Sequence, residues 1–243
     1  MLRALRGEQT DGTPAAPAYT TLFLADFRRA YYIELYRLRT RERTRYAVDH
    51  EEDTRFRAQA LYQSYGVFKV RPDWMEVGHG ASRAWAARTE IVNQDGALYY
   101  EDRETGQRLP MHAVPVPRGD ARLTAQNKSE EDVWDTSKQV QSREQVDRLI
   151  PVRGADTLLA RGDLDLPRQV VADYGARYFI STVLDTPYSY AYDTVGFQGL
   201  MLMPHDNREL FHYLLERQLA QTQAEMEAWA ATGIDGVYVE EVF

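Results

Sequence analysis

The 243-residue chain contains no cysteine. That absence removes disulfides, thiolate zinc sites, iron–sulfur clusters and thiol nucleophiles, so any catalysis by these residues runs through oxygen and nitrogen groups. No apolar run approaches the roughly 20 residues that a membrane span requires. The opening Met1-Leu-Arg-Ala-Leu-Arg-Gly-Glu8 meets charge before an apolar stretch of about 7 residues can form, so no secretory leader is read there. Positive charge is in deficit: 29 Lys and Arg against 37 Asp and Glu give a net charge of −8. Binding to a phosphate backbone needs clustered cations, which argues against nucleic acid as the main partner. No fixed-period repeat is visible, which speaks against solenoids and propellers. These absences lead to the expectation of a cytoplasmic protein with a small-molecule partner, no nucleic acid and no membrane, and a homodimer as the candidate assembly.

What is present is globular. Hydrophobic residues at 44% and charged residues at 27% are ordinary values, and the length suits one α/β domain. After a turn-rich lead-in at residues 9–19, the apolar run Thr20–Phe27 reads as a buried first strand, with helix as the competing reading. Tyr31–Tyr65 lacks Pro and Gly and reads as two helices broken near Asp49–Asp53 and ended at Gly66. Within this stretch, Arg37–Arg45 carries five arginines in nine residues, read as a solvated helix face rather than an anion site. Val67–Val70 and Trp74–Val77 read as strands flanking Pro72-Asp73, the second arriving at Gly78-His79-Gly80, and Ser82 reads as a helix N-cap. Glu90–Val92, the Asn93–Gly96 turn, Ala97–Tyr100 and the Glu104–Gln107 turn form a β-hairpin excursion near 90–112. Residues 113–129 read as a loop. Helices are expected after Ser129 and from Ser142 to Leu149, before Pro151.

The clearest local pattern comes last. Ala176–Val183 reads as a strand, Pro187–Gly196 as a connecting region, and a long helix is expected from Asp206, with Glu209 completing a pattern close to a capping box. Phe211, Leu215, Leu219, Met226 and Trp229 share one predicted face, interrupted by Thr222, and Gly233 ends the helix. Ile234–Val239 is again a strand, so a parallel β-α-β crossover is expected. The sequence stops on that strand. Because a parallel strand needs both faces covered, the expectation is that the native chain continues or that another chain completes it.

Two stretches resemble the uroporphyrinogen decarboxylase superfamily. One is Leu2–Pro14, with its Arg-Gly-Glu and Asp11-Gly-Thr-Pro14; the other is Pro187–Phe243, with Pro204-His-Asp-Asn-Arg-Glu-Leu210 and Gly233-Ile-Asp-Gly236. Asp132-Val133 and Val146–Pro151 fit more loosely. The resemblance implies a (β/α)8 barrel of which this chain supplies roughly the first half. It also implies either a decarboxylase-like lyase that needs no cofactor and acts on a carboxylated tetrapyrrole or another small anion, or a corrinoid-dependent methyltransferase using zinc and a corrinoid. A non-catalytic fragment or binding module is the reading from a different class. Two departures stand out: Ala18–Asp26 lacks the Arg-rich signature of the decarboxylases, and no carboxylate stands at Gly78-His79-Gly80, where their catalytic aspartate falls.

The candidate residues follow from both lines. His79 stands at a strand end between two glycines, where a neutral imidazole can act as acid, base or ligand. Asp185, Tyr188, Tyr190, Tyr192 and Asp193 crowd the region after the 176–183 strand, and the resemblance places Tyr192 or Asp193 near a substrate-contacting tyrosine and Glu241 at the barrel mouth. His79, Tyr192, Asp193 and Glu241 are the expected catalytic set. Arg83, Asp185 and Tyr188 are the expected substrate-binding set, Arg83 taking the part of the missing arginines, and no metal site is expected. His205, His212, Arg28 and Arg29 are weaker candidates, read as structural or exposed.

Overall fold

The structure is a computed structural model, and it describes residues 20–40, 44–67, 73–111 and 140–240. The expected strand at Val67–Val70, the loop at 113–129, the helix after Ser129 and Glu241 therefore lie wholly or largely outside the described residues. The described residues form a mixed α/β protein with eight α-helices and two sheets, one antiparallel and one parallel. They form no closed barrel. The chain divides into two compact units, Met1–Gly119 with Leu159–Thr182 and Thr232–Gly236, and Asp120–Leu158 with Val183–Ala231 and Val237–Phe243.

The first unit opens with α1 (Thr20–Arg39), where a strand was expected over Thr20–Phe27. A short apolar run does not distinguish the two. Here no Pro or Gly interrupts the chain, and the buried Leu24, Tyr32 and Tyr36 recur at multiples of four, which is helical spacing. A short strand, β1 (Arg45–Ala47), separates α1 from α2 (His50–Ser64). The expected break at Asp49 is a cap, since the Asp49 carboxylate accepts from the Glu52 amide at 2.8 Å. A 3-10 turn over Tyr65–Val67 follows. Then come β2 (Trp74–Glu76) and α3 (Arg83–Arg88), with Ser82 as its N-cap.

The expected hairpin is a meander of β3 (Thr89–Gln94), β4 (Ala97–Asp102) and β5 (Arg108–Pro110). Asp95 and Gly96 both take positive φ (52° and 87°) in the two-residue loop between β3 and β4, the requirement of a type I′ turn. With β1 added, the antiparallel order is β1-β3-β4-β5. This sheet contributes Tyr46, Ile91 and Leu98 to a core that Tyr32 and Tyr36 of α1, Ala60 of α2 and Ala86 of α3 complete.

Between α4 (Arg143–Leu149), capped by Ser142 as expected, and β6 stand two helices that the sequence did not announce. They are α5 (Ala155–Ala160) and α6 (Asp165–Tyr174). β6 (Phe179–Asp185) pairs in parallel with β2, Trp74 opposite Phe179, Met75 opposite Ile180 and Glu76 opposite Ser181. Met75 and Ile180 are buried at that ladder, each contributing on the order of 1.5–3 kcal/mol.

In the second unit the region Pro187–Gly196 is helical, contrary to the expected connection. α7 spans Pro187–Asp206 with a kink at Gly196 (φ 71°, ψ 174°). Thr186 caps its start and Pro187 stands at the first turn, where a missing N–H costs nothing. The proline that suggests a loop is therefore a helix start. α8 (Arg208–Ala230) begins two residues after the expected Asp206, with the Asn207 side chain as its cap, accepting from the Leu210 amide at 3.1 Å. Its buried stripe is Leu210, Leu214, Gln218, Thr222 and Trp229, whereas Leu219 is 47% exposed. The stripe is displaced from the predicted one because Gln218 and Thr222 are buried polar residues. Gln218 Nε2 donates to Thr194 Oγ1 at 2.8 Å, and Thr222 Oγ1 donates to the Gln218 carbonyl at 2.9 Å. Leu210 and Leu214 pack with Val146, Ile150, Ala191 and Leu200.

Gly233 (φ 84°) follows α8, and β7 (Gly236–Glu240) completes the parallel sheet in the order β2-β6-β7. The Asp235 amide donates to the Ile180 carbonyl, and the Thr186 amide donates to the Glu240 carbonyl. These bonds advance together along both strands, as parallel pairing demands. No helix among the described residues is long and apolar enough to cross a membrane.

The cap assignment of α8 is directly testable. Asn207→Ala is expected to cost about 1 kcal/mol in urea unfolding, and Asp206→Ala, an exposed position ahead of the cap, to change stability by less than about 0.5 kcal/mol.

Candidate functional site

On α2, Asp53 and Arg57 stand four residues apart and share one helix face. On α1 the same is true of Tyr32 and Tyr36. The two pairs meet in the core of the first unit. Arg57 Nε donates to Asp53 Oδ2 at 2.6 Å, Tyr36 Oη donates to Asp53 Oδ1 at 2.8 Å, and Tyr32 Oη also donates to Asp53 Oδ1. Arg57 Nη2 reaches Tyr32 Oη at 3.0 Å, and the guanidinium lies 4.7 Å from the Tyr32 ring centroid and 5.7 Å from that of Trp85. Asp53 is 0% exposed and Arg57 6%. Charges this deeply buried persist only when paired and hydrogen bonded, and here both carboxylate oxygens are engaged.

The ionisation states follow. Burial works to lower the Arg57 pKa, but Asp53 beside it, helped by Tyr32 and Tyr100, holds it well above the ordinary value, so the guanidinium is charged. Burial raises Tyr32 and Tyr36 strongly, and Asp53 adds to both shifts. Burial also pushes Tyr100 up to about 12. The three phenols are neutral, and Tyr32 and Tyr36 donate to the Asp53 carboxylate.

This network forms one wall of a cavity of about 20 Å³, lined by Arg28, Tyr32, Arg57, Ala60, Leu61, Val77, Gly78, His79 and Leu166. That is room for a water-sized group. β2 delivers His79 to it. The Glu76 amide donates to Tyr65 Oη at 2.9 Å and the Val77 amide donates to the Ser181 carbonyl at 2.8 Å, fixing the strand end two residues before the histidine. The cavity thus brings His79 together with two arginine side chains at the carboxyl end of a parallel strand. This is where open α/β sheets place their ligands.

The other expected residues are placed as follows. Arg83, the first residue of α3, makes an ion pair with Asp165 and donates from Nη1 to the Ala160 carbonyl at 2.9 Å. Asp185, Tyr188, Tyr192 and Asp193 all fall in the second unit, at the end of β6 and in the first turns of α7. Asp185 is buried, and Tyr188 and Tyr192 pack on that unit's core. Their neighbour Tyr190 is raised by burial and by Glu225, to which its hydroxyl donates at 3.4 Å. His205 and His212 are exposed. The second unit also holds a cavity of about 290 Å³, lined by Val140, Gln141, Gln198, Gly199, Leu202, Met203, Asp206 and Asn207, none of them an expected site residue. Among the described residues no group of three or more His, Asp or Glu side chains is arranged to hold a metal ion.

Reading the sequence missed Asp53, Arg57 and Tyr32, and undervalued Arg28. The available signal was the spacing: Tyr32, Tyr36, Asp53 and Arg57 form two i, i+4 pairs, and Arg28 precedes Tyr32 by four. No family model and no curated protein matches the chain.

Removing Asp53 strands a buried guanidinium, so Asp53→Ala is expected to cost roughly 3–5 kcal/mol in denaturant unfolding. The double variant Asp53→Leu with Arg57→Met is expected to recover most of that loss, because an apolar pair of similar volume carries no desolvation cost.

Proposed function

We propose that the chain is an enzyme acting on a small carboxylated substrate, with His79 as the proton-transferring group and Arg57 and Arg28 as the cations that receive the substrate's anionic end. One observation carries the reading: a histidine shares a cavity with a buried, charged arginine and a second arginine, at the carboxyl end of a parallel strand. Arg57 is held by Asp53 and Tyr32 before any substrate arrives, so binding needs little reorganisation. At about 20 Å³ the cavity has room for one water-sized group, such as a single carboxylate oxygen. The bulk of any larger substrate, a tetrapyrrole included, then stays outside it with one carboxylate reaching in.

In this reading the chain is a divergent relative of the uroporphyrinogen decarboxylase superfamily, and β2, β6 and β7 are strands of the first half of its barrel. The open parallel sheet supports that reading, as do the Gly-x-Asp-Gly entry to β7 and the position of His79. In the decarboxylation the carbon–carbon bond to the carboxylate breaks, CO2 leaves, and the electron pair remains on the substrate carbon. The His79 imidazolium then supplies the proton that quenches that carbon, and a proton from solvent returns the resulting imidazole to the imidazolium. Correctly placed proton transfer of this kind contributes about 10²–10⁴ in rate.

The test is to supply the full chain with uroporphyrinogen and, separately, with simple aliphatic carboxylates, and to follow loss of carboxyl groups by chromatography and mass. Turnover of at least one of them that falls by about 10²–10⁴ in His79→Ala is the expected result. If the unaltered chain neither binds nor turns over any of these carboxylates, the reading is removed.

A further inference from the structure

We propose that Asp165 is a positioning residue for His79, acting through the segment 160–166 that holds the His79 loop; the inference rests on the site described above. Four contacts bind residues 80–83 to that segment. The Gly80 amide donates to the Asp163 carbonyl at 2.7 Å and the Arg83 amide donates to the Arg161 carbonyl at 2.9 Å. Arg83 Nη1 donates to the Ala160 carbonyl at 2.9 Å, and the Arg83 guanidinium pairs with Asp165. The Asp165 carboxylate gathers more than this one cation. His50 Nε2 lies 3.1 Å from its Oδ2, and Arg168 Nη1 donates to its Oδ1 at 3.5 Å. A first-turn aspartate is already favoured by the helix dipole. Here it also ties the start of α6 to the start of α2 and to α3.

The fit is close on both sides. A Cβ at Gly80, next to His79, would lie 2.8 Å from Leu166 Cβ and 3.3 Å from the Asp163 carbonyl oxygen. Gly162 takes φ 86°, and a Cβ there would lie 2.6 Å from Arg83 Cγ and 3.1 Å from His50 Nε2. Leu166, one residue past Asp165, lines the same cavity as His79. The segment therefore sets both the backbone beside the histidine and one wall of the space it faces. Asp165 is the point at which three elements lock that segment down.

The experiment uses the full chain with 15N-labelled histidine. The His79 ring is assigned by its loss in His79→Gln and followed by long-range proton–nitrogen correlation, with acetate as the anion probe. In Asp165→Ala the His79 ring signals are expected to move, and acetate affinity to fall about tenfold or more. His205 and His212 should stay in place, and Asp165→Glu should bring back part of the His79 signal. Arg83 is half-exposed, so Arg83→Gln carries the test if Asp165→Ala does not fold, and it is expected to move the same His79 signals in the absence of acetate. Unchanged His79 signals in a folded Asp165→Ala, or in Arg83→Gln, overturn the proposal. If the unaltered chain binds no acetate while the variants still move the His79 ring, the positioning role stands and the anion-site reading falls.

Discussion

The buried pairing of Asp53 with Arg57 is the constraint around which the first unit is arranged. It asks for hydrogen-bond partners at fixed places, and α1 is packed on α2 so as to supply Tyr32 and Tyr36. Two phenols from α1 stand over the carboxylate, and Trp85 of α3, packed against the same core, lies beside the guanidinium. Such a pair is a poor source of stability, since desolvating two charges offsets most of their attraction. Its effect is on specification. A slip of α1 by one residue would carry both tyrosines away from Asp53 and leave the carboxylate short of partners. The same fixing of Arg57 makes it a permanent cation at the edge of a small cavity.

The second constraint is backbone geometry around His79. The parallel ladder of β2 with β6 ends one residue beyond β2, at Val77, and the chain then passes through Gly78, His79 and Gly80 into the cap of α3. Gly80 is required because Leu166 stands where its Cβ would go, and Gly162 because its φ is positive and Arg83 crosses over it. A histidine held between a ladder bond and an anchored amide has little freedom. Such preorganisation is what the proposed proton transfer requires. Arg83, read from sequence as a replacement for missing substrate-binding arginines, has its guanidinium engaged in this framework through Asp165 and Ala160.

Much of the fold was legible wherever a local signal carries its own mechanism. Ser82 and Ser142 cap helices, Asp95-Gly96 makes the hairpin, Gly233 follows α8, and the last two strands stand where the apolar runs put them. The failures have physical causes. Thr20–Phe27 is apolar and short, and only its burial spacing reveals a helix. Thr186-Pro187 reads as punctuation because a proline is informative about a helix start only when the preceding residue is known to cap. The stripe of α8 is displaced because Gln218 and Thr222 are buried by hydrogen bonding, which hydrophobicity does not register. His79 was singled out by its flanking glycines, and it lines the cavity of the candidate site. Arg57 was not, because an Asp and an Arg four apart on a helix look like a surface pair until the tyrosines facing them are known. Asp165 was invisible, since its partners His50 and Arg83 are brought to it only by the tertiary fold.

The central claim is that Arg57 presents its charge to an anion beside His79. The most direct measurement is a formate titration of the full chain, followed through the Nε–H signals of its arginines. Saturable movement of the Arg57 and Arg28 signals at one common midpoint, abolished in the double variant Asp53→Leu with Arg57→Met, is what the account predicts. Arg57 and Arg28 signals that stay still while formate reaches saturation elsewhere would contradict it.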